Sequence, residues 1–120
     1  MEDLFATEKL QQLIPRIKEF VENELYPLET PEYLHHPFSH VAKELDKKRE
    51  LVKKAGLWGL QWSEEEGGLG LTLCEFGQVS EALSYSPYGI YTFGCQAPDI
   101  GNSELLHKFG TPEQKHRYLE

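Results

Sequence analysis

Between Gln61 and Ser103 the chain has no lysine and no arginine, although twelve basic residues occur among its 120 positions. Cysteine is scarce as well: Cys74 and Cys95 are too few for a disulfide scaffold or a four-cysteine zinc site. That usage points to a reducing compartment, the cytoplasm of a bacterium or the matrix of an organelle. No apolar run approaches the roughly 20 residues that span a bilayer. The start lacks the basic and apolar regions of a secretory signal, and Glu2 and Asp3 have the wrong charge for one. Twelve bases against twenty acids leave a net charge of −8. Such a surface repels phosphate backbones and excludes a nucleic-acid binder without a local basic patch. Strand-like alternation, repeats and low-complexity tracts are lacking too.

What is present reads as one globular domain, with 39% apolar and 27% charged side chains. A chain of this length buries roughly two thirds of its unfolded surface, enough for a core. Charge is uneven: residues 1–40 carry −5, residues 41–60 carry +3, and residues 61–103 carry −6. That last stretch also holds six of the fourteen aromatics and both cysteines.

From Thr7 to about Tyr26, Leu10, Leu13, Ile14, Ile17, Val21 and Leu25 recur at three- and four-residue steps, the stripe of an amphipathic helix. Pro15 predicts a kink or a restart, and Pro27 the end. Residues 27–38, with three prolines, read as a loop. Ser39 is placed to cap a second helix to about Ala55, with Val41, Leu45, Val52 and Ala55 inward and the Lys and Arg side chains mostly solvated. Gly56 is its stop. Leu57 to Trp62 reads as a packed extended connector, and Ser63 to Gly70 as a turn-rich loop. Thr72 and Glu75 form a capping box for a helix facing inward through Leu73, Phe76, Val79 and Leu83. A short apolar segment from Tyr88 to Gln96 ends at Pro98. Asn102 or Ser103 then caps a helix to Phe109, closed by Gly110. Thr111, Pro112 and Gln114 mark the start of the last helix. The expectation is an all-α fold of five to six helices.

Self-contained chemistry is hard to find. His35, His36 and His40 lack a nearby carboxylate or cysteine partner, and Pro37 breaks a common helical face, so a solvated loop is favoured over a metal site. Gly67-Gly68-Leu69-Gly70 lacks the Gly-Lys-Ser/Thr of a phosphate loop and follows three glutamates, so it reads as a turn with positive φ. Cys95 with His107 as base has nothing in the sequence to bring the pair together. Glu75 and Glu81, six residues apart on one helix, point in different directions. No catalytic, cofactor-binding or metal-ligating residue is assigned.

Ordered motifs say more. Val52-Lys53-Lys54-Ala55-Gly56-Leu57-Trp58-Gly59-Leu60, followed by Glu65-Glu66-Gly67-Gly68-Leu69-Gly70-Leu71, resembles the N-terminal helical domain of flavin-dependent acyl-CoA dehydrogenases. Gly110-Thr111-Pro112-Glu113-Gln114-Lys115 with Tyr118-Leu119 is similar to a signature of the same family. Cys95-Gln96-Ala97-Pro98-Asp99-Ile100-Gly101-Asn102 resembles the subgroup that some eukaryotes fuse to a phosphotransferase-like domain. Glu24, Leu25, Pro27 and Leu28 fit the family's first long helix. The likeness covers about residues 10–120.

The resemblance implies a three-domain enzyme, usually a homotetramer, in which this domain precedes a β-barrel-like middle domain and a C-terminal helical bundle. It implies acyl-CoA as substrate and FAD held between the other two domains and a neighbouring subunit. The proton-abstracting glutamate and the flavin contacts would then lie after position 120, with no flavin expected on this chain alone. The segment matching Ile90 to Ala97 walls the acyl pocket in the family. Tyr91, Phe93, Gly94, Cys95 and Gln96 are accordingly the pocket-lining residues implied, with packing in this domain's own core as the alternative. Two functions follow: the silent N-terminal part of an acyl-CoA dehydrogenase, or a stand-alone helical module that binds another protein. Both expect exposed apolar surface within residues 61–103.

Overall fold

A computed structural model describes residues 5–119. Glu2 and Asp3, which bear on the reading of the start, and Glu120 lie outside them. All regular structure among the described residues is helical. Five helices have eight residues or more: α1 (Glu8–Phe20), α3 (Phe38–Lys54), α4 (Leu73–Leu83), α6 (Ala97–Phe109) and α7 (Pro112–Leu119). Two single-turn helices, α2 (Pro31–Leu34) and α5 (Gly89–Thr92), join them. The all-α fold is as the residue pattern predicts. None of the helices is long and apolar enough to cross a membrane.

Helix α1 starts at Thr7, whose hydroxyl accepts from the Leu10 N–H at 3.3 Å. It runs without interruption through Pro15. Pro15 and Gln11 are both exposed, so the carbonyl that loses its N–H partner stays within reach of solvent. Beyond Phe20 the chain passes into a π turn, Val21–Leu25, and a 3₁₀ turn, Tyr26–Leu28, which contains Pro27. A stripe stepping by four residues drifts about 40° per step in a regular helix. The wider π turn takes up that drift, and Ile17, Val21 and Leu25 are all fully buried. Each such side chain contributes about 1.5–3 kcal/mol.

Helix α3 begins after Pro37, two residues earlier than the Ser39 cap predicts. Val41, Leu45 and Val52 are buried, but Ala55 is the exposed C-cap rather than an inward position. Gly56 ends the helix as predicted: its N–H donates to the Lys53 carbonyl at 3.0 Å, and the Leu57 N–H to the Val52 carbonyl at 3.0 Å. The connector is not extended. It turns at Gly59–Trp62 and bonds to the returning chain, with the Leu69 N–H on the Gly59 carbonyl at 3.1 Å and the Gly70 N–H on the Trp62 carbonyl at 2.7 Å. Gly68 sits so close to Trp62 that a Cβ would lie 2.3 Å from its carbonyl oxygen.

The Thr72–Glu75 capping box of α4 is present. Leu73, predicted inward, is instead 88% exposed, because helical spacing turns it away from the face that buries Glu75, Val79, Ala82 and Leu83. Helix α6 is capped at Gln96, six residues before Asn102 and seven before Ser103, the two caps predicted, with Pro98 opening it instead of closing the preceding segment. Neither α6 nor α7 has a buried residue. Large apolar side chains are exposed at Leu73 and Tyr85 within 61–103, but also at Leu105, Phe109 and Tyr118 beyond it.

Candidate functional site

The segment implied as a pocket wall is built around α5. Its C-terminal end closes as α3 does: the Gly94 N–H donates to the Tyr91 carbonyl at 3.0 Å and the Cys95 N–H to the Ile90 carbonyl at 2.9 Å. Gly94 has φ +68, and a Cβ there would lie 2.5 Å from Cη2 of Trp58. Only glycine allows both the left-handed turn and the indole lying against it. The turn sends its neighbours in different directions. Phe93 is 1% exposed, its ring meeting Phe20 edge-on at 5.2 Å. Cys95 is also buried, with Sγ 3.5 Å from the Phe93 carbonyl oxygen. Burial pushes its thiol up to about 12, so it stays protonated and is a poor nucleophile. Tyr91 is half-buried and donates its hydroxyl to Asp46 Oδ1 at 2.8 Å. Burial, and then Asp46, push its pKa up. Gln96 is exposed and occupies the N-cap of α6.

Arg49 ties this segment to the rest. Its guanidinium lies 4.7 Å from the Tyr91 ring centre and 5.1 Å from that of Trp58, with Asp99 Oδ2 at 3.7 Å. One α3 side chain therefore touches the connector, α5 and α6. Grouping Arg49 with the solvated bases missed this, because its partners lie on three other elements and share no sequence spacing with it.

A concavity of about 300 Å³ lies between α6 and the connector, with Gln61, Trp62, Phe76, Ile100 and His107 among its walls. His107 meets the Trp62 ring edge-on at 5.0 Å, and its Nδ1 is 3.5 Å from Glu66 Oε1. Gln61 Oε1, Trp62 Nε1 and His107 Nε2 are sealed from solvent and lack a hydrogen-bond partner. The partners of His107 are thus Trp62 and Glu66, while that of Cys95 is Phe93; the two do not meet as nucleophile and base.

The remaining sequence candidates are equally plain. His36 and His40 have ring centres 5.1 Å apart, and His40 Nε2 is 3.9 Å from Glu32 Oε1, so the cluster does have a carboxylate neighbour, which the sequence reading missed. Among the described residues no group of three or more His, Cys, Asp or Glu side chains is placed to hold a metal ion. Gly67 and Gly70 have positive φ. The N–H groups from Gly67 to Gly70 all donate to backbone carbonyls, so none is free to cradle a phosphate. Glu81 faces a groove between α1 and α4, whereas Glu75 is held by Thr72 and Thr7.

With that geometry in hand, comparison with known proteins is decisive. The family model described as acyl-CoA dehydrogenase, N-terminal domain, matches residues 7–120. The chain belongs to this family. It is 35% identical over 119 residues to acyl-CoA dehydrogenase family member 10 of Mus musculus, covering 92% of this chain and 11% of that protein. It is 31% identical to family member 11 of Homo sapiens, covering 95% of this chain and 15% of that protein. A solved structure assigned as an acyl-CoA dehydrogenase of Mycobacterium abscessus superposes with a TM-score of 0.79 at 32% identity, covering 95% of this chain and 31% of that one. The chain thus spans about a tenth to a third of the proteins it matches. Within the acyl-CoA dehydrogenase N-terminal domain it forms, the glycine-rich turn is a folding feature: it docks residues 67–71 onto the connector.

Proposed function

We propose that this chain is the N-terminal helical part of an FAD-dependent acyl-CoA dehydrogenase that introduces an α,β double bond into acyl-CoA thioesters. The match of the family model over residues 7–120 carries this reading. The segment from Tyr91 to Gln96 walls the acyl chain. Phe93 and Cys95 support the wall from inside, and Tyr91, Gly94 and Gln96 lie toward its surface. Arg49, stacked on Tyr91 and Trp58, keeps it rigid. In this reading each methylene of a fatty chain buried against the wall is worth about 0.8 kcal/mol.

The residues here do not fit the diphosphate of a flavin. The amides of the glycine turn are already used, and residues 61–103 offer no basic side chain. In this reading flavin and the proton-abstracting glutamate belong to the middle and C-terminal domains, which together with this domain form a homo-oligomer of the bacterial cytoplasm or an organelle matrix. The chain by itself binds no flavin and turns over no acyl-CoA. A stoichiometric yellow chromophore on the purified chain would overturn this placement. In the multidomain enzyme, Gln96→Trp lowers kcat/KM for long acyl-CoA at least about tenfold more than for short, the worth of roughly two methylenes. An equal loss at all chain lengths removes Gln96 from the wall.

The exposed Leu105, Phe109 and Tyr118 favour a second reading, a stand-alone module that binds another protein. A reading frame that continues past Glu120 into a middle domain supports the enzyme, and a stop codon there supports the module.

A further inference from the structure

Helices α1 and α4 run side by side in the same direction. Near their starts the Thr7 hydroxyl donates to Glu75 Oε1 at 2.8 Å, and further along the Lys18 ammonium lies 5.8 Å from the centre of the Tyr85 ring. A groove of about 510 Å³ separates their outer faces, with Ile14 and Lys18 on one side and Gln78, Glu81, Ala82 and Tyr85 on the other. A smaller concavity of about 160 Å³ continues it along the π turn and shares Lys18, Ala82 and Tyr85 with it. Ala82 and Val21 are buried in the floor, Ile14 is half-buried, and Tyr85 is 60% exposed.

Lys18 and Glu81 are both exposed, and among the described residues neither has an oppositely charged partner within 4 Å. Ile14 lies one turn before Lys18, and Glu81 one turn before Tyr85. The four side chains therefore mark the corners of a rectangle across the groove. A cation and an anion occupy one diagonal, a half-buried aliphatic side chain and an exposed aromatic ring the other. A half-turn about an axis perpendicular to this face exchanges the two ends of each diagonal.

We propose that the α1–α4 face pairs with a second copy of the chain about such a two-fold axis. Each Lys18 then meets Glu81 of the other copy, and each Tyr85 ring covers Ile14 of the other copy. The charge pattern decides the occupant, because it is complementary to itself and a closed two-fold contact makes each favourable pair twice. The face is two helices wide and about three turns long, less than the roughly 800 Å² per partner of a standard interface, so the dimer is weak. It involves no residue from Tyr91 to Gln96 and none of α6 or α7, so it holds independently of the enzyme reading.

Sedimentation of the chain between about 10 μM and 1 mM at low ionic strength tests the pairing. A monomer–dimer equilibrium that salt weakens is expected. Lys18→Glu and Glu81→Lys each put like charges in both pairs, and each should raise the dissociation constant at least about tenfold. Both positions are exposed, so helix content by circular dichroism should match the parent. Mixed in equal amounts, the two variants regain opposite charges in both pairs, and their heterodimer should form within about threefold of the parent's affinity. A parent that stays monomeric throughout this range overturns the pairing and leaves the groove to a different protein. A mixture that associates no better than its components overturns it too, and places any self-association on another face.

Discussion

Glu75 serves two helices at once. One carboxylate oxygen accepts the Thr72 N–H at 2.9 Å, closing the capping box of α4, and the other accepts the hydroxyl of Thr7, the N-cap of α1, at 2.8 Å. These hydrogen bonds, the Thr72 backbone first, hold its pKa below the ordinary carboxylate range. A lowered folded-state pKa gives stability that is complete above the unfolded value and is lost as pH falls through the folded one. Glu75→Gln should therefore lower the urea midpoint at pH 7, and its gap to the parent should narrow below about pH 4. A gap that stays constant between pH 7 and pH 3 would remove ionisation from the explanation. The capping box was legible because its members are three residues apart. The bond to Thr7, across 68 positions, was not. The two thiols differ just as sharply. Cys74 is exposed, while burial keeps Cys95 protonated. An alkylating reagent at pH 8 should modify Cys74 within minutes and reach Cys95 only on unfolding, as peptide mass spectrometry would read.

At the scale of elements, prolines and glycines decided most boundaries, and each has more than one meaning. Pro98 stops one segment or starts the next with equal ease, since the N–H it lacks is not needed in the first turn of a helix. Here it starts α6. Pro15 lies inside α1 instead of breaking it, because the turn it weakens faces water. Gly94 combines a left-handed turn with a tryptophan ring in contact. Gly94→Ala should cost about 3 kcal/mol, from backbone strain together with the displaced indole, measured by chemical denaturation. A loss under about 1 kcal/mol would mean that Trp58 moves aside freely. Arg49→Ala should cost about 1–2 kcal/mol through lost stacking on Trp58 and Tyr91, and Arg49→Lys should not fully restore it. These contacts were not legible, because they join side chains from different elements.

The whole molecule is a slab of 44 × 42 × 22 Å with a radius of gyration of 15.3 Å. Its short dimension is two helix layers of about 10–12 Å each. The radius exceeds the roughly 13–14 Å of a compact chain this long, in keeping with two terminal helices that bury nothing. The stretch without lysine or arginine draws its cations from elsewhere: Lys9 donates to the Leu69 carbonyl at 2.9 Å, Lys18 lies over Tyr85, and Arg49 meets Asp99. Exposed apolar side chains occur in that stretch, in the last two long helices and at Phe5, Tyr26, Leu34, Phe38 and Leu51, so the chain should bind a hydrophobic dye or self-associate. Leu105→Glu with Phe109→Glu should at least halve the dye signal or raise the monomer fraction, leaving helix content unchanged by circular dichroism. An unaffected signal would place the patch outside α6.

The amino-acid order alone determined the helical class, the apolar stripe of α1, those of α3 and α4 apart from Ala55 and Leu73, and the capping boxes at Thr72 and Thr111. All of these arise within one or two helical turns, where spacing is geometry. The family motifs were legible for a related reason, since they are runs of neighbouring residues. Tertiary structure decided which side of Gly94 faces the core, which cation stacks on Tyr91, and which polar atoms α6 seals. Those outcomes depend on elements that meet in space while far apart in the chain, and only the packed fold sets the distances at which ring, charge and hydrogen bond act.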